Sequence, residues 1–274
     1  MLVSAVQMDV RTQRFEENLE TAYRHIREAV RRGSALVLLP EMFTTGFAYP
    51  DLEEPARATY DESCRFMSRV AREGKIWLVG SIPEPGAGGG VYNTLMWYSP
   101  QGKLAGAYRK AHLFSPTRED AYFIPGDEVK AVGIDGAVTG GLICFDIRFP
   151  EMARSLALQG AQILLVAAQF PHPRAMHWET LLKARAIENQ VWVVAANRIG
   201  KSGELEYFGR SMIVDPWGEV AAAEMAEKEA VVTERIDLGM IERVRAILPC
   251  RRRPDLYGDL AGTPAAGPQQ GQSG

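Results

Sequence analysis

The segment Gly140-Gly141-Leu142-Ile143-Cys144-Phe145-Asp146-Ile147-Arg148-Phe149-Pro150-Glu151 decides how the chain is read. An apolar run of β character, from Val138 to Ile143, ends on a cysteine. A polar turn follows, and Pro150 stands where a helix can begin, since its fixed φ suits the first helical position. A side chain at such a strand-to-helix junction lies at the edge of a sheet, beside free backbone N–H groups. A thiol there would attack an acyl carbon while a neighbouring N–H holds the oxyanion. The other reading is a buried packing cysteine, because free Cys is among the most buried residue types. The segment alone does not separate the two.

Working outward, the same alternation recurs on both sides. Residues 2–7 read as a strand. Residues 15–32 read as a helix, with Leu19, Ala22, Tyr23, Ile26, Ala29 and Val30 at three- and four-residue steps and Gly33 as its end. Residues 35–39 form an apolar run that stops at Pro40-Glu41, a second helix is expected over 61–72, and 76–80 is the next strand. The loop 83–90 precedes a hairpin of 91–98 and 104–108, and an irregular stretch, 109–127, follows. A second hairpin, 130–134 with 138–143, leads into the opening segment. Beyond it the order is helix, strand 163–167, helix 176–188 and strand 191–196. Strands near 209–214, 220–222 and 230–236 and a helix over 238–247 complete the pattern. Two βαβαβ halves joined by hairpins predict an α/β domain of two sheets packed face to face, with helices on both outer faces. A doubly wound nucleotide-binding sheet finds no support, since no G-x-G-x-x-G or phosphate loop opens a helix.

Composition agrees with one globular domain over 1–258 and a Gly/Pro/Gln-rich mobile tail over 259–274. The chain is 46% hydrophobic and 24% charged, with a net charge of −3 that makes no case for nucleic acid. No apolar window is long enough to span a membrane, and the N-terminus lacks the basic region of a signal peptide. Cys64, Cys144 and Cys250 are odd in number and far apart, which predicts free thiols and a reducing cytoplasm. Neither CxxC nor HExxH occurs, so no metal site is expected.

Strand ends gather on one side of an α/β core, so the polar groups that follow the other buried strands matter. The run 36–39 delivers Glu41, 104–108 delivers Lys110 and 138–143 delivers Cys144. Loops can aim a carboxylate, an ammonium and a thiol at one cleft. Such a trio suits acyl transfer from an amide or nitrile. Cys144 would attack, Glu41 would take the thiol proton and later pass it to ammonia, and Lys110 with the Phe145 N–H would hold the oxyanion. Each residue also has a plain reading: a loop carboxylate, a surface lysine, a packing cysteine.

Together with Leu39-Pro40-Glu41-Met42-Phe43, Tyr108-Arg109-Lys110-Ala111-His112-Leu113-Phe114, His177-Trp178 and Ala184-Arg185-Ala186-Ile187-Glu188-Asn189, the opening segment resembles the nitrilase (carbon–nitrogen hydrolase) superfamily. The resemblance runs from Leu2 to about Tyr257. It implies an α-β-β-α sandwich, a Glu41–Lys110–Cys144 triad, no cofactor, and homodimers packed into an eight-layer sandwich. It also implies a supporting carboxylate at Glu119, four residues before the Phe of Phe123-Ile124-Pro125-Gly126; a solvated glutamate is the alternative. The version Cys-Phe-Asp-Ile-Arg-Phe-Pro-Glu is similar to that of ω-amidases, which deaminate 2-oxoglutaramate and 2-oxosuccinamate. Such a small-molecule amide needs a cation for its far carboxylate. Arg148 is the first candidate, unless it pairs with Asp146 or Glu151, and Arg174 is the second. Phe43, Phe47 and Phe170 would wall the pocket or belong to the core. His112 suggests a Cys–His dyad, which the resemblance replaces with Glu41. N-carbamoyl amidohydrolase or nitrilase activity, and a non-catalytic scaffold that kept the fold, are the competing readings. The segment from Cys250 to Tyr257 is expected to cross to a partner subunit.

Overall fold

The computed structural model describes residues 1–257; the mobile tail expected over 259–274 lies outside the described residues. In chain order the elements are β1 (Leu2–Gln7), α1 (Phe15–Arg31), β2 (Leu36–Leu38), α2 (Glu53–Gly74), β3 (Trp77–Pro85), β4 (Val91–Tyr98) and β5 (Leu104–Arg109). Then come β6 (Ala131–Ile134), β7 (Ala137–Ile143), α3 (Pro150–Leu158), β8 (Ile163–Ala168), α4 (Ala175–Asn189) and β9 (Trp192–Asn197). The chain continues through β10 (Ile199–Ser202), β11 (Leu205–Phe208), β12 (Met212–Val214), β13 (Val220–Ala223), β14 (Ala230–Arg235), α5 (Gly239–Ile247) and α6 (Pro254–Tyr257).

Two six-stranded mixed sheets result, in the orders β14-β1-β2-β3-β4-β5 and β13-β12-β9-β8-β7-β6. Each has three parallel strands at its centre, β1-β2-β3 or β7-β8-β9, and antiparallel strands on both sides. The parallel strands are buried on both faces, which explains their unbroken apolar runs. Strand β2 shows the layering within three residues: Val37 packs with α1 and α2, whereas Leu36 and Leu38 join the core shared with the second sheet. Helix α1 turns Ala22, Ile26 and Ala29 inward, and α2 turns Phe66, Met67 and Val70 inward. The architecture is the expected α-β-β-α sandwich.

Trp97 of β4 fastens the two sheets. It is fully buried, and its indole N–H donates to Thr139 Oγ1 of β7 at 3.0 Å. Removing a buried aromatic of this kind costs about 3–5 kcal/mol. The same ring explains a glycine: a Cβ on Gly141 would lie 2.4 Å from Trp97 Cη2, so only glycine lets the sheets meet just below Cys144.

Two boundaries and one hairpin differ from the sequence reading. Helix α2 starts at Glu53, because Glu53-Glu54-Pro55 makes a favourable first turn although only Ala56 of that turn and the next is buried enough to leave an apolar signal. Strand β3 runs on through Pro83-Glu84-Pro85. Strand β2 pairs with it only as far as Val79, so the prolines lie where one side of the strand needs no donors. The hairpin β10–β11 was not expected, since Ile199–Ser202 and Leu205–Phe208 are short and mixed in polarity.

Candidate active site

Cys144 opens a 3-10 turn, Cys144–Arg148, at the end of β7 and holds φ at 47°. A non-glycine residue in this left-handed region is strained, so the surroundings must fix it. Asp146 does so. Fully buried, its Oδ2 accepts the Ile143 N–H at 2.9 Å and the Tyr108 hydroxyl at 2.7 Å. Its Oδ1 accepts the His112 N–H at 3.1 Å and lies 2.9 Å from His112 Nδ1. From the other side, buried Arg185 of α4 donates Nε–H to the Ile147 carbonyl at 2.9 Å. One carboxylate thus joins the cysteine turn to the loop that carries Lys110. Asp146 is fully engaged and does not pair with Arg148.

Glu41 follows β2, and Lys110 follows β5; both are buried. Lys110 Nζ lies 2.9 Å from Glu41 Oε1, and 2.7 and 2.9 Å from the two oxygens of Glu119. These are three contacts, as many as an ammonium has hydrogens. Glu119 also accepts the Phe114 N–H at 2.6 Å, which folds the irregular loop around the lysine. This carboxylate is buried rather than solvated. Glu41 Oε1 takes a second bond from Asn93 Nδ2 at 2.8 Å, and Oε2 takes the Gln169 N–H at 2.9 Å. Among the described residues one lone-pair position on Oε2 is left for a proton.

Burial lifts the Glu41 carboxyl above its ordinary range and Glu119 adds to this, while Lys110 opposes it. Burial alone would push Lys110 down, but Glu119 and Glu41 overcome it and hold the ammonium well above its ordinary value. Burial, with the negative charge of Glu41, keeps the Cys144 thiol well above the ordinary thiol range against the pull of Lys110. The resting site is a neutral thiol beside a cation and two carboxyl groups, so attack by sulfur needs a base to take its proton.

Cys144, Glu41, Lys110 and Glu119 line one cavity of about 810 Å³. Arg148, Arg174, Phe170 and Phe47 line it too. The Arg148 guanidinium lies 5.9 Å from the Phe145 ring centre and 5.4 Å from that of Phe170, and Nη2 is 3.3 Å from His177 Nδ1. Arg174 lies 5.2 Å from the Phe114 ring centre. Burial lowers the pKa of Arg148, and the like charge of Arg174 lowers it further. Among the described residues neither arginine forms an ion pair. Phe43 does not line the cavity; it packs between the first sheet and its helices. His112 is held by Asp146 and stacked on Phe149 at 3.6 Å, and so serves the turn rather than the thiol.

Sequence reasoning passed over Asn93 and Gln169, weighed Asp146 only as a partner for Arg148, and gave Tyr108 no role of its own. Gln169 was within reach of the strand-end argument, since it follows β8 as Glu41 follows β2.

The carbon-nitrogen hydrolase family matches residues 2–246. The chain is 37% identical to the 2-oxoglutaramate amidase of Bacillus subtilis (strain 168) over 257 residues, covering 93% of this chain and 98% of that one. It is 37% identical to the deaminated glutathione amidase of Bos taurus over 265 residues, covering 89% and 80%. An amidase from Nesterenkonia sp. AN1, solved after Michael addition of acrylamide at its active-site cysteine, shares the fold with a TM-score of 0.82 at 27% identity, covering 91% and 98%. With its sandwich fold and a cysteine lining this charged cleft, the chain belongs to the carbon–nitrogen hydrolase family, as one of its amidohydrolases.

Proposed function

We propose that the protein hydrolyses the terminal amide of a small keto or amino acid, of the 2-oxoglutaramate or 2-oxosuccinamate type, through a thioester on Cys144. The observation that carries the substrate class is the pair Arg148 and Arg174: two cavity guanidiniums without a carboxylate partner among the described residues. A far carboxylate bound there relieves their mutual repulsion and places the amide toward Cys144.

In the first half-reaction Cys144 Sγ bonds to the amide carbon as its proton passes to Glu41 Oε2. The carbonyl oxygen becomes an oxyanion, held by the Phe145 N–H and by Lys110, which gives up one of its two contacts to Glu119. Collapse breaks the C–N bond, and Glu41 returns the proton to the departing nitrogen as ammonia. Water then attacks the thioester and loses a proton to Glu41. The second oxyanion collapses, the C–S bond breaks, and Glu41 reprotonates the sulfur. One amide and one water give one carboxylic acid and one ammonia.

A second reading is favoured by cavity size. About 810 Å³ is in the range that encloses drug-sized ligands and exceeds the need of a five-carbon acid. The mouth extends to Arg14, Lys201 and Ser202, which leaves room for a larger leaving amine such as the cysteinylglycine of deaminated glutathione. Ammonia release from 2-oxoglutaramate, 2-oxosuccinamate and N-carbamoyl amino acids, and cysteinylglycine release from deaminated glutathione, test the assignment. Release from the first two, abolished in Cys144→Ala, is expected. Turnover confined to a carbamoyl substrate or a nitrile sinks it.

The assembly proposed is a homodimer through the second helical layer. Its support is the apolar surface left by Leu158 of α3, Ile187 of α4 and Ile247 of α5, which are 41%, 50% and 70% exposed. The free thiols at Cys64, Cys144 and Cys250 fit a cytoplasmic setting.

A further inference from the structure

Arg198 is a fully buried arginine outside the triad, and a charge so placed must be matched by strong partners. It follows β9 and faces three directions. Nη2 donates to Asp9 Oδ1 at 3.0 Å, Nε donates to the Ile199 carbonyl at 3.0 Å, and Nη1 donates to Gln169 Oε1 at 3.1 Å. Its guanidinium also lies 4.3 Å from the Tyr207 ring centre.

The Gln169 contact sets an orientation. A guanidinium only donates, so it fixes the oxygen end of the Gln169 amide toward itself and turns Nε2 the other way. Nε2 then donates to the Glu41 carbonyl at 2.8 Å, while the Gln169 backbone N–H donates to Glu41 Oε2 at 2.9 Å. That backbone bond occupies one lone pair of Oε2 and so aims the other, the position open to the thiol proton.

The chain Asp9–Arg198–Gln169–Glu41 therefore links the ends of β1, β9, β8 and β2, two strands from each sheet. Glu41 is carried by the first sheet and Cys144 by the second, so their relative placement depends on a tie of this kind. We infer that Arg198 is a positioning residue for the general base, acting through Gln169 to hold the Glu41 carboxylate in line with Cys144 across the two sheets. The inference rests on the proposed proton transfer from Cys144 to Glu41, but not on the identity of the substrate.

The test is the pH dependence of iodoacetamide alkylation at Cys144 in the substrate-free protein, read by mass spectrometry of the Cys144 peptide so that Cys64 and Cys250 do not interfere. Arg198→Met and Gln169→Leu weaken the donor to Oε2, which favours the neutral carboxyl and raises the Glu41 pKa. In both variants the acid limb is expected to move up by about one pH unit, with about tenfold slower alkylation on that limb. A purely structural arginine would lower the melting temperature and leave the limb in place. Should Arg198→Met not fold, Gln169→Leu reads the same link. Glu41→Gln serves as the reference. If it alkylates with the wild-type pH profile, Glu41 is not the proton acceptor and the relay falls with that reading. If it is slowed while the folded relay variants keep the wild-type limb, the relay alone is overturned.

Discussion

The inner and outer walls of the cavity carry opposite charge in opposite states of satisfaction. Glu41, Lys110 and Glu119 on the inner wall are buried and bonded to one another, with Asn93 and Gln169 completing Glu41. Arg148 and Arg174 on the outer wall lie against aromatic rings and have no ion-pair partner among the described residues. A closed set of bonds keeps its geometry whether or not substrate is present, whereas unpaired cations gain most from a ligand. In the proposed mechanism the inner wall transfers protons and the outer one recognises the substrate.

The largest effect expected is on the inner wall. Glu41→Gln keeps the shape and removes the proton acceptor, so kcat for ammonia release should fall by about 10³-fold with little change in KM. Steady-state kinetics on 2-oxoglutaramate decide this. A variant that raises KM and spares kcat would show that Glu41 binds rather than reacts, and the contrast between the walls would disappear.

The outer wall predicts the reverse pattern. Arg148→Met keeps much of the apolar stem over Phe170 and deletes the charge, so KM should rise about 10- to 100-fold with kcat within a few-fold of wild type. The companion measurement uses a neutral amide without the far carboxylate, for which the two proteins should differ little. An equal penalty on the neutral amide would mean that Arg148 shapes the turn after Cys144 rather than reading a carboxylate.

The two walls were unequally legible in the sequence. Glu41, Lys110 and Cys144 follow apolar strand runs, and strand ends on one side of an α/β core point to a common place whatever the details of packing. Arg148 was legible only through the resemblance, which implies a pocket residue four positions after the cysteine. The residues that hold these groups were not, because their signal is three-dimensional. Asp146 reads as a turn aspartate until Tyr108 of β5 and His112 of the loop after it close on it. Arg198 reads as one more arginine until Asp9 and Gln169 close on it from two other strand ends. The strand pattern gave the sandwich because the parallel strands are buried on both faces. Hairpin β10–β11 was missed because a short two-stranded ribbon outside both sheets has no such need. Burial of a whole strand leaves a pattern along the chain, and a bond between loops does not.

The smallest effect probes the charge balance inside the inner wall. Glu41 sits above its ordinary range first through burial and then through the neighbouring charge of Glu119. Glu41 must be ionised to accept the thiol proton, so activity is lost as pH falls through its raised pKa, and the acid limb should lie above the usual carboxylate range. Glu119→Gln removes the like charge and leaves the positive charge of Lys110 to act on Glu41 alone. Both changes favour the ionised form, so the limb should move down by about half to one pH unit. This is opposite in sign to the shift expected for Arg198→Met. Profiles of kcat/KM against pH, or of iodoacetamide alkylation where turnover is too slow, show the direction. An upward shift in Glu119→Gln would mean that Glu119 acts mainly by holding Lys110 against Glu41, with position outweighing charge.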